Sequence, residues 1–373
     1  MKTTVLLFSL LLSFYTGHSQ EVKFTILKNN PATAVKNQGG SGTCWCFSTT
    51  ALVESELLLK KEPEADLSET FTVYNLYLDK AEKYIRRRGN TRFAEGGLAQ
   101  DMLYAADKFG VMPQEIYPGI GRDTLMTHNY AMADQLKVYL DQVIKESPDT
   151  IPRNWKRGFK AILDSYLGAP PATFSYKGVS YTAKSFALAH AVVKPSDFIG
   201  LTSFTHHPFY ESFIMEVPDN YNGNAYINLP LQELIKTVKA ALLGGYTLVW
   251  DTDVSNNGFR PAKGIAMWVN GMADSTALPA FTEHPYSQEI RQQLFDQQVT
   301  QDDHLMQITG LAKDAAGKEY FLVKNSYGSK SGPYGGYVYV SIPYFAINTI
   351  SVVVDKKAVP AKLLIGDQVE RGN

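Results

Sequence analysis

Apolar positions at Phe47, Leu52, Leu57, Leu58 and Leu59, with Glu54 among them, recur at helical spacing in good helix formers, so residues 44–60 predict a helix. Ser68 then stands as an N-cap before a second, amphipathic helix over 70–88. Helix formers dominate residues 131–168, and turn residues cluster at Gly168-Ala169-Pro170-Pro171 and at Asp219-Asn220-Tyr221-Asn222-Gly223-Asn224. From residue 246 onward the pattern changes to short strands, 246–251, 304–310, 320–324 and 337–342. A helical first part and a strand-rich last part make this an α+β chain. No internal repeat or low-complexity tract interrupts it.

Ahead of these elements, Met1-Lys2-Thr3-Thr4 precedes an apolar stretch over 5–15 and then Thr16-Gly17-His18-Ser19-Gln20. That order reads as a signal peptide over 1–19, sending the mature chain out of the cytoplasm. The stretch is short for a bilayer span, and a buried N-terminal helix is the alternative. No later segment is long and apolar enough for a membrane span. With 373 residues, 45% of them hydrophobic, the chain can bury a large core. Its 36 basic and 37 acidic side chains nearly cancel, which gives no electrostatic case for nucleic acid or an anionic membrane. Arg86-Arg87-Arg88 reads as a solvated helix end. The 2 cysteines, Cys44 and Cys46, are one residue apart, a poor geometry for a disulfide.

Cys44 carries the chemistry. In Gln38-Gly39-Gly40-Ser41-Gly42-Thr43-Cys44-Trp45-Cys46-Phe47-Ser48, glycine-rich backbone gives way to the first helix, so the thiol sits near a helix start. Unpaired N–H groups and the helix dipole there favour a thiolate, and Gln38 could aim its amide at a developing oxyanion beside the Cys44 N–H. A lone cysteine near an apolar helix is more often a small buried hydrophobe. The surrounding pattern argues the other way.

Gln38, Gly39, Gly42, Cys44-Trp45 and Phe47-Ser48 resemble the active-site signature of papain-type cysteine peptidases. Asp303-His304-Leu305-Met306-Gln307-Ile308-Thr309-Gly310 resembles that family's histidine strand, and Tyr320-Phe321-Leu322-Val323-Lys324-Asn325-Ser326-Tyr327-Gly328 its asparagine segment. The resemblance implies a two-lobe papain-like fold, with a helical lobe and an antiparallel β-barrel-like lobe. It implies that His304 takes the Cys44 proton and that Asn325 orients the imidazole. After Asp66-Leu67-Ser68-Glu69, similar to the family's Leu-Ser-Glu helix start, Gly96 and Gly97 match a loop that hydrogen-bonds peptide substrate. No metal or other cofactor is implied. Of the 7 histidines, His304 alone heads an alternating strand followed by a Lys-Asn-Ser-Tyr-Gly run. His206-His207 has no Cys, Asp or Glu at usual ligand spacing, so packing or a cleft wall is expected there.

Residues 20–119 would hold the helical lobe and nucleophile helix, and 241–358 the β lobe. The 120–240 stretch is an expected insertion, mainly helical, and 359–373 a tail. Within the insertion and beyond it, Leu201 to Glu211, Val217-Pro218-Asp219-Asn220, Gly244 to Trp250 and Asp253-Val254-Ser255 are similar to the bleomycin hydrolase or aminopeptidase C branch. That branch implies an aminopeptidase whose cleft is narrowed by a C-terminal arm, usually within a homo-oligomer, a hexamer. The 359–373 tail does not closely match such an arm. Other departures are Ser41 where a half-cystine is common, Cys46 where a small residue is usual, Leu305 after the histidine, and Tyr327 in place of a tryptophan. A papain-like endopeptidase and an inactive peptide-binding homologue are the alternatives.

Overall fold

The computed structural model describes residues 23–119, 129–269 and 282–364. Residues 1–19, read above as a signal peptide, and most of the 359–373 tail lie outside the described residues. β1 (Thr25–Asn29) leads to α1 (Cys44–Leu59), α2 (Glu69–Arg86) and α3 (Ala99–Phe109). α1 occupies the span its apolar spacing predicts. Ser68 caps α2 as expected, its Oγ accepting the Phe71 N–H at 3.0 Å.

The middle of the chain is mixed. Helices α4 (Asn129–Glu146), α5 (Trp155–Leu167) and α6 (Ala183–His190) enclose a hairpin of β2 (Phe174–Tyr176) and β3 (Val179–Tyr181). Three strands follow, β4 (Phe198–Thr202), β5 (Ser212–Ile214) and β6 (Ala225–Asn228), then α7 (Leu231–Leu243). The remaining elements are β7 (Leu248–Thr252), β8 (Phe259–Arg260), β9 (Ile265–Ala266), α8 (Gln288–Asp296), β10 (His304–Lys313), β11 (Glu319–Lys324), β12 (Tyr337–Ser341), α9 (Ile342–Asn348) and β13 (Thr349–Asp355).

One 11-stranded sheet gathers all but the hairpin strands, in the order β5-β6-β4-β13-β7-β10-β11-β12-β9-β8, with β1 also on β10. This corrects the barrel-like expectation, because the sheet is open. β4 pairs antiparallel with β13, and β6 and β5 pair on in turn, so residues 198–228 extend the edge instead of letting it close. The 120–240 stretch carries α4, α5, α6 and the start of α7, and it also supplies β4, β5 and β6 to the main sheet.

Alternation of side chains divides the sheet into two faces. Trp250, Met306, Ile308, Phe321, Val323, Val352 and Val354 pack on one face with Leu234 and Val238 of α7 and Phe345 of α9. On the other, Val249, Leu305 and Val353 pack against α1, and through it α2 and α3. α1 is buried all round up to its last turn, as a helix between two layers must be. Gln307 fastens it to the sheet, its Nε2 donating to Ala51 O at 3.1 Å and Ser55 Oγ at 2.8 Å. β1 crosses β10 so closely that a Cβ on Gly310 would fall 2.1 Å from Lys28 O, which only glycine permits. Among the described residues, no helix is long and apolar enough to cross a membrane.

Candidate active site

Antiparallel pairing puts the start of β10 and the end of β11 at one end of the sheet, where the N-terminus of α1 also arrives. His304 opens β10, Asn325 follows β11, and Cys44 opens α1. Two chain segments are laced together around this point. Gln38 N donates to Ser326 O at 2.8 Å and Gly328 N to Lys36 O at 3.0 Å, while Asn37 and Tyr327 form an antiparallel bridge. Ser326 Oγ also donates to Gln38 Oε1. The loop before the thiol is thereby tied to the segment that carries Asn325.

Gln38 is 5% exposed, and its Nε2 donates to Ser41 O at 2.7 Å. The second hydrogen on that nitrogen remains for another acceptor. Ser41 Oγ closes the loop by donating to Gln38 O at 2.7 Å. The Cys44 N–H, at the first helical position, has no carbonyl one turn back. These are the two donors an oxyanion at Cys44 would require.

His304 is 3% exposed and its Nε2 lies 2.8 Å from Asn325 Oδ1. A side-chain carbonyl oxygen only accepts, so Nε2 carries the proton and Nδ1 keeps its lone pair as a base. Tyr327 stacks on the imidazole at 5.0 Å between centroids and 27° between planes, the flat cover that its replacement of tryptophan predicts. Burial pushes His304 down to about 4, against the pull of Asn325. It also pushes the Cys44 thiol up to about 12, with Asp302 and Asp251 adding to the effect and the Leu305 and Trp45 backbone groups opposing it. The helix start was expected to favour a thiolate. Here desolvation and the nearby carboxyl groups oppose the thiolate that the dipole favours.

Gly96 and Gly97 sit beside the start of α1. Glu95 Oε2 accepts the Gly42 N–H at 2.6 Å and Glu95 O the Trp45 indole N–H at 3.0 Å, pinning this loop to the start of α1. Lys80, at Ala94 O (3.0 Å) and Gly96 O, holds it from below. A Cβ on Gly96 would fall 1.8 Å from Asp219 Oδ2, and one on Gly97 3.2 Å from the Trp45 ring, so both glycines permit close approaches. Cys46 is fully buried, with Sγ 3.6 Å from Glu69 O.

The fold brings Glu216 to His206 and His207, an acid that sequence spacing did not supply. Gln292 decides how this cluster reads. Its Oε1 accepts the Thr205 N–H at 2.5 Å, so its Nε2 is the atom 3.0 Å from His206 Nδ1 and must donate to it. The proton of His206 therefore sits on Nε2, facing Glu216, where a metal ligand would need a lone pair.

Sequence reasoning missed two carboxyl groups near the thiol, Asp251 and Asp302, and a third, Asp219, over Gly96. One signal was available: Asp251 interrupts the otherwise apolar run Leu248-Val249-Trp250.

Comparison with known proteins follows the same residues. The profile of the Papain family cysteine protease matches residues 21–147, and that of the Peptidase C1-like family residues 90–368. Aminopeptidase C of Streptococcus thermophilus is 24% identical over 374 residues, spanning 88% of this chain and 82% of the relative. Aminopeptidase G of Lactobacillus delbrueckii subsp. lactis is 23% identical over 369 residues, with 88% and 82% spanned. The crystal structure of pepw from Lactobacillus rhamnosis matches at a TM-score of 0.71 and 20% identity, covering 91% of this chain and 83% of that one, a likeness of fold.

Proposed function

The chain belongs to the Peptidase C1-like family and is a cysteine-type peptidase, and from that premise we propose that it is an exported aminopeptidase working through Cys44, His304 and Asn325. The observation that carries the site assignment is the His304 Nε2 to Asn325 Oδ1 bond at 2.8 Å, made where α1 delivers Cys44. Likeness to aminopeptidases along most of the chain supports the exopeptidase reading over the endopeptidase one.

As substrate binds, Cys44 Sγ attacks the scissile carbonyl carbon while its proton passes to His304 Nδ1. The Cys44 N–H and Gln38 Nε2 donate to the oxyanion. The C–N bond then breaks, the leaving amine takes the proton from Nδ1, and a thioester remains on Sγ. Water gives a proton to Nδ1 and adds to the thioester. The C–S bond breaks, the acid leaves and Sγ recovers its proton. Asn325 holds the ring in the required tautomer throughout. Gly96 and Gly97 lie on the wall a peptide backbone would follow.

A peptide with a free amino end and its N-acetylated twin test this reading, with products sequenced. Removal of terminal residues from the free peptide alone is expected; internal cleavage of both would establish an endopeptidase. Export over a 1–19 leader would show as Gln20 at the mature N-terminus. Sedimentation of that mature chain would read a homo-oligomer, hexameric in the resembled branch.

A further inference from the structure

One carboxyl beside the thiol has no task in the chemistry above. Asp251 is 2% exposed, within a strand whose neighbours Leu248, Val249 and Trp250 are packed apolar side chains. A carboxylate in such a place is ordinarily answered by donors or a cation. Yet no N–H group among the described residues answers it: Oδ2 meets the Ser351 hydroxyl at 3.4 Å, and the other polar group against it is a second carboxyl, that of Asp302.

Register places this group. Asp251 is the cross-strand partner of Leu305, which follows His304 and whose backbone group bonds the Cys44 sulfur. Directly opposed residues project from one face with Cβ atoms about 5 Å apart, so the carboxyl stands on the α1 side of the sheet, one strand from the reacting sulfur. Asp302, two residues before His304, meets Asp251 within hydrogen-bonding reach and is partly exposed, which opens the pair to the cleft. Asp219 stands nearby over Gly96 and is answered by Arg92 at 2.8 Å, whereas Asp251 and Asp302 have no ion pair among the described residues.

Two facing carboxyl groups in a dry site cannot both ionise without a positive charge between them. Burial and mutual repulsion hold both above the usual carboxylate range, Asp302 at about 7 and Asp251 well up. Arg92, engaged with Asp219, is felt at Asp302 but donates to neither carboxyl of the pair, and a primary ammonium brings N–H donors and a charge between them.

We propose that Asp251 and Asp302 form the subsite that receives the free terminal ammonium of a peptide substrate. This rests on the aminopeptidase reading and names what in the cleft enforces it. A terminal ammonium is separated from the scissile carbonyl by one backbone unit or little more, a reach that suits a carboxyl one strand from the sulfur. A lysine ammonium would have to fold its whole stem back. The same contact couples recognition to chemistry: negative charge on the pair disfavours a thiolate at Cys44, and an ammonium seated between the two carboxyl groups offsets it as the thiolate is required.

The test compares alanyl and N-acetylalanyl aminomethylcoumarin amides, and the corresponding lysyl pair, with the wild-type chain and with Asp251→Asn, Asp302→Asn and Asp302→Glu. Wild type is expected to prefer the free amine strongly. Each Asn variant should lose at least tenfold of that preference in kcat/KM, with part of the loss in kcat, while thermal unfolding is unchanged and Asp302→Glu retains most of the preference. Should Asp251→Asn not fold, the partly exposed Asp302→Asn carries the same comparison. A wild type that cleaves both substrates of a pair equally overturns the aminopeptidase reading itself. A selective wild type whose Asn variants stay equally selective, or lose free-amine and acetylated turnover in proportion, overturns the subsite while leaving that reading standing. A loss confined to the lysyl pair overturns it in favour of side-chain recognition.

Discussion

Trp250 and Asp251 are neighbours on β7 and face opposite sides of the sheet. Trp250 is fully buried among the aliphatic side chains over α7 and α9, and even its indole N–H is answered, by Thr349 Oγ1 at 2.8 Å. Asp251 is almost as deeply buried and is met by the Ser351 hydroxyl and a second carboxyl, with no N–H donor among the described residues. Gln307, on the same α1 side, has an Oε1 without a partner among the described residues. Around β7, then, the apolar side chain that faces α7 and α9 is fully satisfied, and the polar ones that face α1 are not. Both faces carry an apolar core, and the candidate chemistry stands on the second.

The sharpest test of that division is at the thiol. Cys44→Ala should abolish turnover, by about 10³-fold or more, and leave thermal unfolding unchanged, because it removes one atom from the reactive face. Cys46→Ala, two residues on and packed beneath the helix, should keep its activity. Equal loss in both, read from initial rates, would mean the wrong sulfur was assigned.

On the face toward α7 and α9 the effects should reverse. Trp250→Ala should cost about 3–5 kcal/mol by urea unfolding, because the indole leaves a cavity among side chains that cannot collapse into it. Ile308→Val should cost about 1 kcal/mol there, with the preference for free-amine substrates unaltered. A change in selectivity from either would show that the two faces are not separable.

The smallest expected effect concerns protonation in the resting site. A thiol held up at about 12 is neutral throughout pH 5–8, and His304, at about 4, is neutral there too. Alkylation of Cys44 by iodoacetamide should therefore be slow and nearly flat across that range, and His304→Ala should change it little. Fast labelling near pH 6 would reveal a preformed thiolate–imidazolium pair in place of two neutral groups. Since a base must be unprotonated to act, His304 should impose an acid limit on peptidase activity only as pH falls through about 4.

How much of this was legible in the sequence depended on whether the cause was local. The helix at Cys44, the cap at Ser68 and the strands that bear His304 and Asn325 follow from apolar spacing and short-range hydrogen bonds, and they stand where those signals placed them. The openness of the sheet was not legible. It depends on β4, with β6 and then β5 paired on behind it, finding β13 from more than 100 residues away, and pairing between distant segments leaves no mark on periodicity. Likewise Glu216 reaches His206 and His207 through a turn of the chain that no ligand spacing encodes.

By itself the sequence determined the reaction class, because a thiol at a helix start, a histidine strand and an asparagine segment must be present as residues before any geometry can use them. Only the tertiary structure decided the electrostatics. Whether Cys44 rests as thiol or thiolate turns on how much water reaches it and which carboxylates stand near, and both are set by strands that meet at the site from distant parts of the chain. The acidic pair is likewise a property of the assembled walls, since Asp251 and Asp302 meet only when β7 lies against β10.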